Sequence, residues 1–132
     1  MNAQQILADL IAFPTVSDQS NLDLIEYVET YLSKHGVNST RVYDETGLKA
    51  ALYANIGPDV AGGIVLSGHS DVVPVVGQDW QTNPYTLVEK DGNLYGRGTC
   101  DMKGFLALAL AAVPRALSTN LKRPLQIAIS YD

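Results

Sequence analysis

Ile64-Val65-Leu66-Ser67-Gly68-His69-Ser70-Asp71 is the stretch on which the fold of this chain turns. Its first half is apolar and opens on two β-branched residues, Ile64 and Val65. A short continuous run of this kind predicts a strand over Ile64–Ser67 that is buried on both faces, as strands of parallel sheets are. The second half changes to small and ionisable residues at the carboxyl end of that strand. In open α/β sheets functional groups gather at such ends.

Working outward toward the N-terminus, Ile6, Leu7, Leu10 and Ile11 recur at helical spacing and predict a helix over Ala3–Ala12, closed by Phe13-Pro14. A polar loop, Thr15–Ser20, leads to a second helix with Leu24, Ile25, Val28 and Leu32 on one face. Gly36, just after Lys34-His35, stops it, with cations near the negative end of the helix dipole. Strands are predicted over Thr40–Tyr43 and Leu48–Ile56.

Toward the C-terminus, Gly68–Pro84 reads as a long irregular loop. Leu87–Lys90 and Asn93–Tyr95 flank Asp91-Gly92, a two-residue hairpin signal. Gly96-Arg97-Gly98 makes a turn before Asp101, and the apolar run Phe105–Val113 predicts a buried helix ending near Pro114, which cannot donate to a helical ladder. Leu125–Tyr131 is the last predicted strand. Helices alternating with strands predict an α/β fold, a mixed β-sheet flanked by helices. Asp132 falls directly at the end of a strand expected to be central, so the expectation is a domain incomplete at its C-terminus, with Leu125–Tyr131 exposing surface.

The 132 residues hold one domain or part of one. With 46% apolar and 17% charged residues the chain can build a core rather than remain disordered. A net charge of −5 leaves no basic stripe to replace phosphate counterions, which excludes a nucleic-acid partner. Phe105–Val113 is the longest apolar run, well short of the ~20 residues of a membrane span. Met1–Gln5 lacks the cationic, apolar start of a secretory signal, and a lone Cys100 allows no internal disulfide. The expected location is the cytoplasm.

Two groups of residues could carry chemistry. His69 and Asp71 lie two apart, so in extended backbone they share a side, and a carboxylate can fix the imidazole of a metal-binding histidine. Spacing alone leaves open that they are an unrelated loop pair. Asp101 stands before Met102-Lys103-Gly104, where it could cap the following helix or, alternatively, bridge two metals with its two oxygens. His35 reads as a solvent-facing helix-end residue, Cys100 as a small buried side chain beside the turn, and Trp80, Tyr85 and Tyr95 as loop anchors.

Two longer segments carry a resemblance. Ser67-Gly68-His69-Ser70-Asp71-Val72-Val73-Pro74-Val75 and Leu94-Tyr95-Gly96-Arg97-Gly98-Thr99-Cys100-Asp101-Met102-Lys103-Gly104-Phe105 resemble the two N-terminal signatures of the dinuclear zinc amidohydrolases. That group includes acetylornithine deacetylases, succinyl-diaminopimelate desuccinylases, aminoacylases and carboxypeptidase G. Thr99–Phe105 and Asp18–Leu24 are most similar to the acetylornithine deacetylases.

The resemblance implies a zinc-exopeptidase-like catalytic domain of which residues 1–132 are the N-terminal part. It implies His69 as a ligand of one zinc, Asp101 as the bridge between two, and a catalytic role for Asp71 in orienting His69. The implied cofactors are two Zn²⁺ per complete site, with Co²⁺ as an alternative. The implied reaction is hydrolysis of N2-acetyl-L-ornithine to ornithine and acetate by a homodimeric parent chain, whose partner is a small-molecule N-acyl amino acid. The family adds a Glu-Glu pair after the strand matching Leu125–Asp132, as general base and ligand; these are absent here, so residues 1–132 alone are expected to have negligible amidase activity even when supplied with zinc. Other N-acyl amino acid hydrolases, and a noncatalytic module with the same fold, are the competing readings.

Overall fold

A computed structural model describes every residue from Met1 to Asp132. Helix α1 (Ala3–Ala12) starts at Asn2, whose side chain accepts from the Gln5 N–H while the Gln5 side chain accepts from the Asn2 N–H. This reciprocal cap satisfies two donors that the first turn otherwise leaves free. Helix α2 (Leu22–Lys34) buries Leu24, Ile25, Val28 and Leu32 as the spacing predicts, and Tyr31 beside them.

Four strands form one sheet: β1 (Ser39–Tyr43), β2 (Ala50–Ile56), β3 (Ile64–His69) and, after the long loop and hairpin, β6 (Leu125–Ser130). Their order is β1-β2-β6-β3, with β6 antiparallel to β2 and parallel to β3. The sheet is therefore mixed. Alternate residues Ala50, Leu52, Ala54 and Ile56 of β2, with Ile127 and Ile129 of β6, join the core built by α1, α2 and the later helix α3 (Gly104–Leu117). Tyr53, on the other face of β2, is exposed.

The position of β3 corrects the expectation of burial on both faces. It pairs with β6 alone and forms the edge of the sheet, leaving Ile64 and Val65 65% and 50% exposed. An apolar run marks a strand but does not say how many neighbours that strand has. β6 is an interior strand, as expected: Ile127 and Ile129 on one face are buried, Gln126, Ala128 and Ser130 on the other are half-buried or exposed, and the edges of the sheet are β1 and β3.

A separate hairpin pairs β4 (Val88–Lys90) with β5 (Asn93–Tyr95). Asp91 and Gly92 both take positive φ, +52° and +74°, the geometry that a tight two-residue hairpin turn requires. Helix α3 departs from the sequence reading, because it runs through Pro114 to Leu117. Proline at that position leaves the carbonyl four residues back without its helical donor. The Tyr31 hydroxyl donates to that oxygen, Leu110 O, at 3.0 Å. A partner 79 positions away thus lets the helix continue.

Candidate metal centre

His69 is the last residue of β3, opposite Ser130 of β6. The strand reaches it past Gly68, where any Cβ would lie 2.8 Å from Leu106 Cδ2 and 2.9 Å from Met102 Cε. Glycine is therefore what allows β3 to lie against the opening of α3. On the opposite side, Thr99–Lys103 forms an irregular turn whose Asp101 and Met102 have non-helical dihedrals. The turn folds back tightly, since a Cβ at Gly104 would meet Thr99 O at 2.3 Å.

These two segments bring together the residues singled out by sequence. Asp101 Oδ1 lies 2.9 Å from His69 Nε2, across 32 positions of chain. The other ring nitrogen, Nδ1, lies 2.9 Å from Asp71 Oδ1 and 3.1 Å from the Asp71 backbone oxygen. The Asp101 side chain caps nothing, and α3 begins without a side-chain cap. Asp101 is 80% exposed at the mouth of the site, whereas the Asp71 side chain is mostly enclosed.

An imidazole between two carboxylates is electrostatically biased toward its protonated form. Burial opposes the charge on His69, but the Asp101 hydrogen bond, the Asp71 backbone oxygen and both negative charges together raise its pKa above the usual 6.5. The three side chains line a cavity of about 170 Å³ with Val72, Gly98 and Cys100. Cys100 is exposed there, not buried as expected, because the irregular turn carries it to the outside. No set of three or more His, Cys, Asp or Glu side chains is placed to hold a metal ion.

Support for the site comes from residues the sequence reading passed over. Asp71 Oδ2 accepts from the Ser17 hydroxyl, so both oxygens of this carboxylate are engaged. Ser70, fully buried between His69 and Asp71, donates to Ser130 O at 3.0 Å and accepts from Asn21 Nδ2 at 2.8 Å. Its carbonyl accepts from the Thr15 hydroxyl at 2.6 Å. Val72 and Val16 form a short parallel bridge beside them. The polar composition of Thr15–Ser20 was the only hint of this role in the sequence.

Lys103 is the second such residue. It is fully buried, and its ammonium donates to Leu10 O at 2.9 Å and Phe13 O at 2.6 Å, at the end of α1. Burial pushes its pKa down to about 8. Trp80 behaves as the loop anchor the sequence suggests: its indole donates to Gln78 Oε1 at 2.9 Å, and the Arg97 guanidinium sits 5.0 Å from the ring centre. His35 packs on Tyr31, away from the site.

Residues 65–132, from β3 through the turn and α3 to the end of β6, match the model for peptidase family M20/M25/M40. The chain belongs to this family. It is 42% identical over 135 residues to an acetylornithine deacetylase from Pasteurella multocida (strain Pm70), covering 97% of this chain and 35% of that protein. Among solved structures it is similar to human carnosine dipeptidase 1, with a TM-score of 0.82 and 29% identity over 97% of this chain and 31% of that one. It also shares its fold with an M20 family metallo-carboxypeptidase, Sso-CP2 from Sulfolobus solfataricus, at a TM-score of 0.83 and 22% identity over 98% of this chain and 30% of that one. The chain thus spans about a third of the length of the relatives it matches.

Proposed function

We propose that residues 1–132 are the N-terminal part of the catalytic domain of a zinc-dependent amidohydrolase that removes the acetyl group from N2-acetyl-L-ornithine. The observation that carries this reading is the arrangement Asp71–His69–Asp101, with one ring nitrogen held by a carboxylate and the other facing a second carboxylate at 2.9 Å. A histidine so anchored has its free nitrogen aimed and made more basic, which is how proteins prepare a metal ligand. Imidazole nitrogen and carboxylate oxygen are both zinc donors, so His69 and Asp101 fit the ion as part of its ligand set, short of the three protein ligands a catalytic zinc takes. Family membership supports metal-dependent hydrolysis, and the acetylornithine deacetylase relative supports the substrate.

His69 Nε2 and Asp101 would hold the metal, with Asp101 bridging to a second ion. When bound, zinc would supply Lewis-acid polarisation of the amide carbonyl and acidify a water molecule. Asp71 would keep the proton on His69 Nδ1, so that loss of the Nε2 proton would leave that nitrogen's lone pair for the metal. Ser17, donating to the other oxygen of Asp71, stops that carboxylate from rotating away. The exposure of Asp101 leaves its second oxygen accessible from the cavity side.

Zinc titration by calorimetry tests the assignment, comparing the full-length parent protein with its His69→Ala variant. Zinc uptake that disappears in H69A is expected, and uptake unchanged by H69A would overturn the reading. The codons after Asp132 discriminate further: a Glu-Glu pair supports the hydrolase, and any other pair favours a noncatalytic module.

A further inference from the structure

We propose that Lys103 is a positioning residue that sets the place of Asp101 by anchoring the Thr99–Lys103 turn to the C-terminal end of α1. The inference deepens the metal-hydrolase reading and rests on it only for its effect on zinc. A fully buried ammonium is costly unless its donors are met, and Lys103 meets no carboxylate. Its partners are Leu10 O and Phe13 O, carbonyls at the negative end of the α1 dipole. The charge therefore does not serve an ion pair. It ties one turn to one helix end.

Asp101 needs such a tie. Its side chain is 80% exposed, and its one side-chain partner is His69, the group it must meet. The turn around it departs from helical dihedrals, so the regular ladder of α3 does not fix it. The Lys103 N–H closes the turn by donating to Gly98 O at 2.8 Å, and the Lys103 side chain then fastens the closed turn to α1.

The same short segment, Phe13–Ser17, also grips the other half of the site. The Val72 N–H donates to Thr15 O at 2.9 Å, the Ser17 N–H to Val72 O at 3.1 Å, and the Ser17 hydroxyl to Asp71. One stretch of chain therefore registers both sides of the His69–Asp101 contact. Removing the Lys103 anchor frees Asp101 while leaving His69 and Asp71 held.

The test compares Lys103→Met and Lys103→Arg in the full-length parent protein, with Tyr31→Phe as a control that loses its bond to Leu110 O in α3. Three readouts are taken: thermal unfolding, the ¹⁵N shifts of the His69 ring without metal, and zinc affinity by calorimetry. In folded K103M, the ring signal of the Nε2–Asp101 hydrogen bond is expected to vanish and zinc affinity to fall about tenfold or more. K103R, which keeps the donors, restores most of both, and Y31F lowers stability without moving either. A folded K103M with native ring shifts and zinc affinity overturns the proposal.

If K103M does not fold, Lys103→Gln, which can still donate to one carbonyl, is read the same way. Failure of both to fold makes Lys103 a core residue only and overturns the positioning role. If the unaltered full-length parent protein takes up no zinc, the hydrolase reading fails, and the ring shifts still decide whether Lys103 places Asp101.

Discussion

His69 ends a strand, whereas Asp101 sits in an irregular turn with non-helical dihedrals, and the molecule fixes the two by different means. The strand end is held by ladder bonds to β6 and by the buried Ser70, Asn21 and Thr15 cluster beneath it. The turn is held from outside, through a buried lysine on the carbonyls of another helix. A side chain on regular structure inherits its position from the sheet. A side chain on an irregular turn is placed by a separate anchor.

The largest effect tests whether the two regions form one site at all. Asp101→Asn keeps the size of the side chain and its hydrogen-bonding oxygen but removes the charge that a bridge between two metals needs. Zinc binding is expected to drop to the level of H69A, although the variant folds normally. Calorimetry alongside a thermal melt measures both. Zinc affinity close to that of the unaltered chain would mean that the turn belongs to a different site from the strand end.

A smaller loss is expected on the strand side. Asp71→Asn leaves His69 in place on β3 but weakens the hold on Nδ1, for an expected cost of about 10–100-fold in zinc affinity. Ser17→Ala acts one step further back and should cost less than D71N. If S17A costs as much as D71N, the Asp71 carboxylate owes its orientation to Ser17 rather than to His69.

The contrast between the two regions also explains what could be read from the sequence. Periodicity located α1, and Asp91-Gly92 located the hairpin, because both depend on residues adjacent in the chain. His69 was legible because it follows a strand, and Asp101 because it resembles a known signature. The remaining features depend on distant partners. Pro114 does not end α3 because Tyr31 replaces its lost donor. Ile64 and Val65 are exposed because β3 has one neighbour. Lys103 gave no sign of its role, since its two carbonyl partners lie 93 and 90 positions upstream.

The smallest effect, a pH dependence, weighs the two carboxylates against each other. In the metal-free chain the folded-state pKa of His69 is raised above its unfolded value of about 6.5. A group with a raised folded pKa contributes stability that is fully present below the unfolded value and is lost as pH rises through the folded one. The melting temperature of the metal-free chain should therefore carry a contribution that declines as pH climbs above about 6.5. Beyond burial, which lowers the pKa, the Asp101 hydrogen bond is the leading cause that raises it, ahead of the contributions from Asp71. D101N should thus flatten the decline more than D71N does. Melts of all three chains in chelator between about pH 5 and 8 measure this. On the proposed role of His69, zinc would have to displace the proton from Nε2, and its binding would strengthen over the same interval in which the proton-linked stability is lost. A decline flattened more by D71N than by D101N would move the dominant electrostatic partner of His69 from the turn back to the strand end.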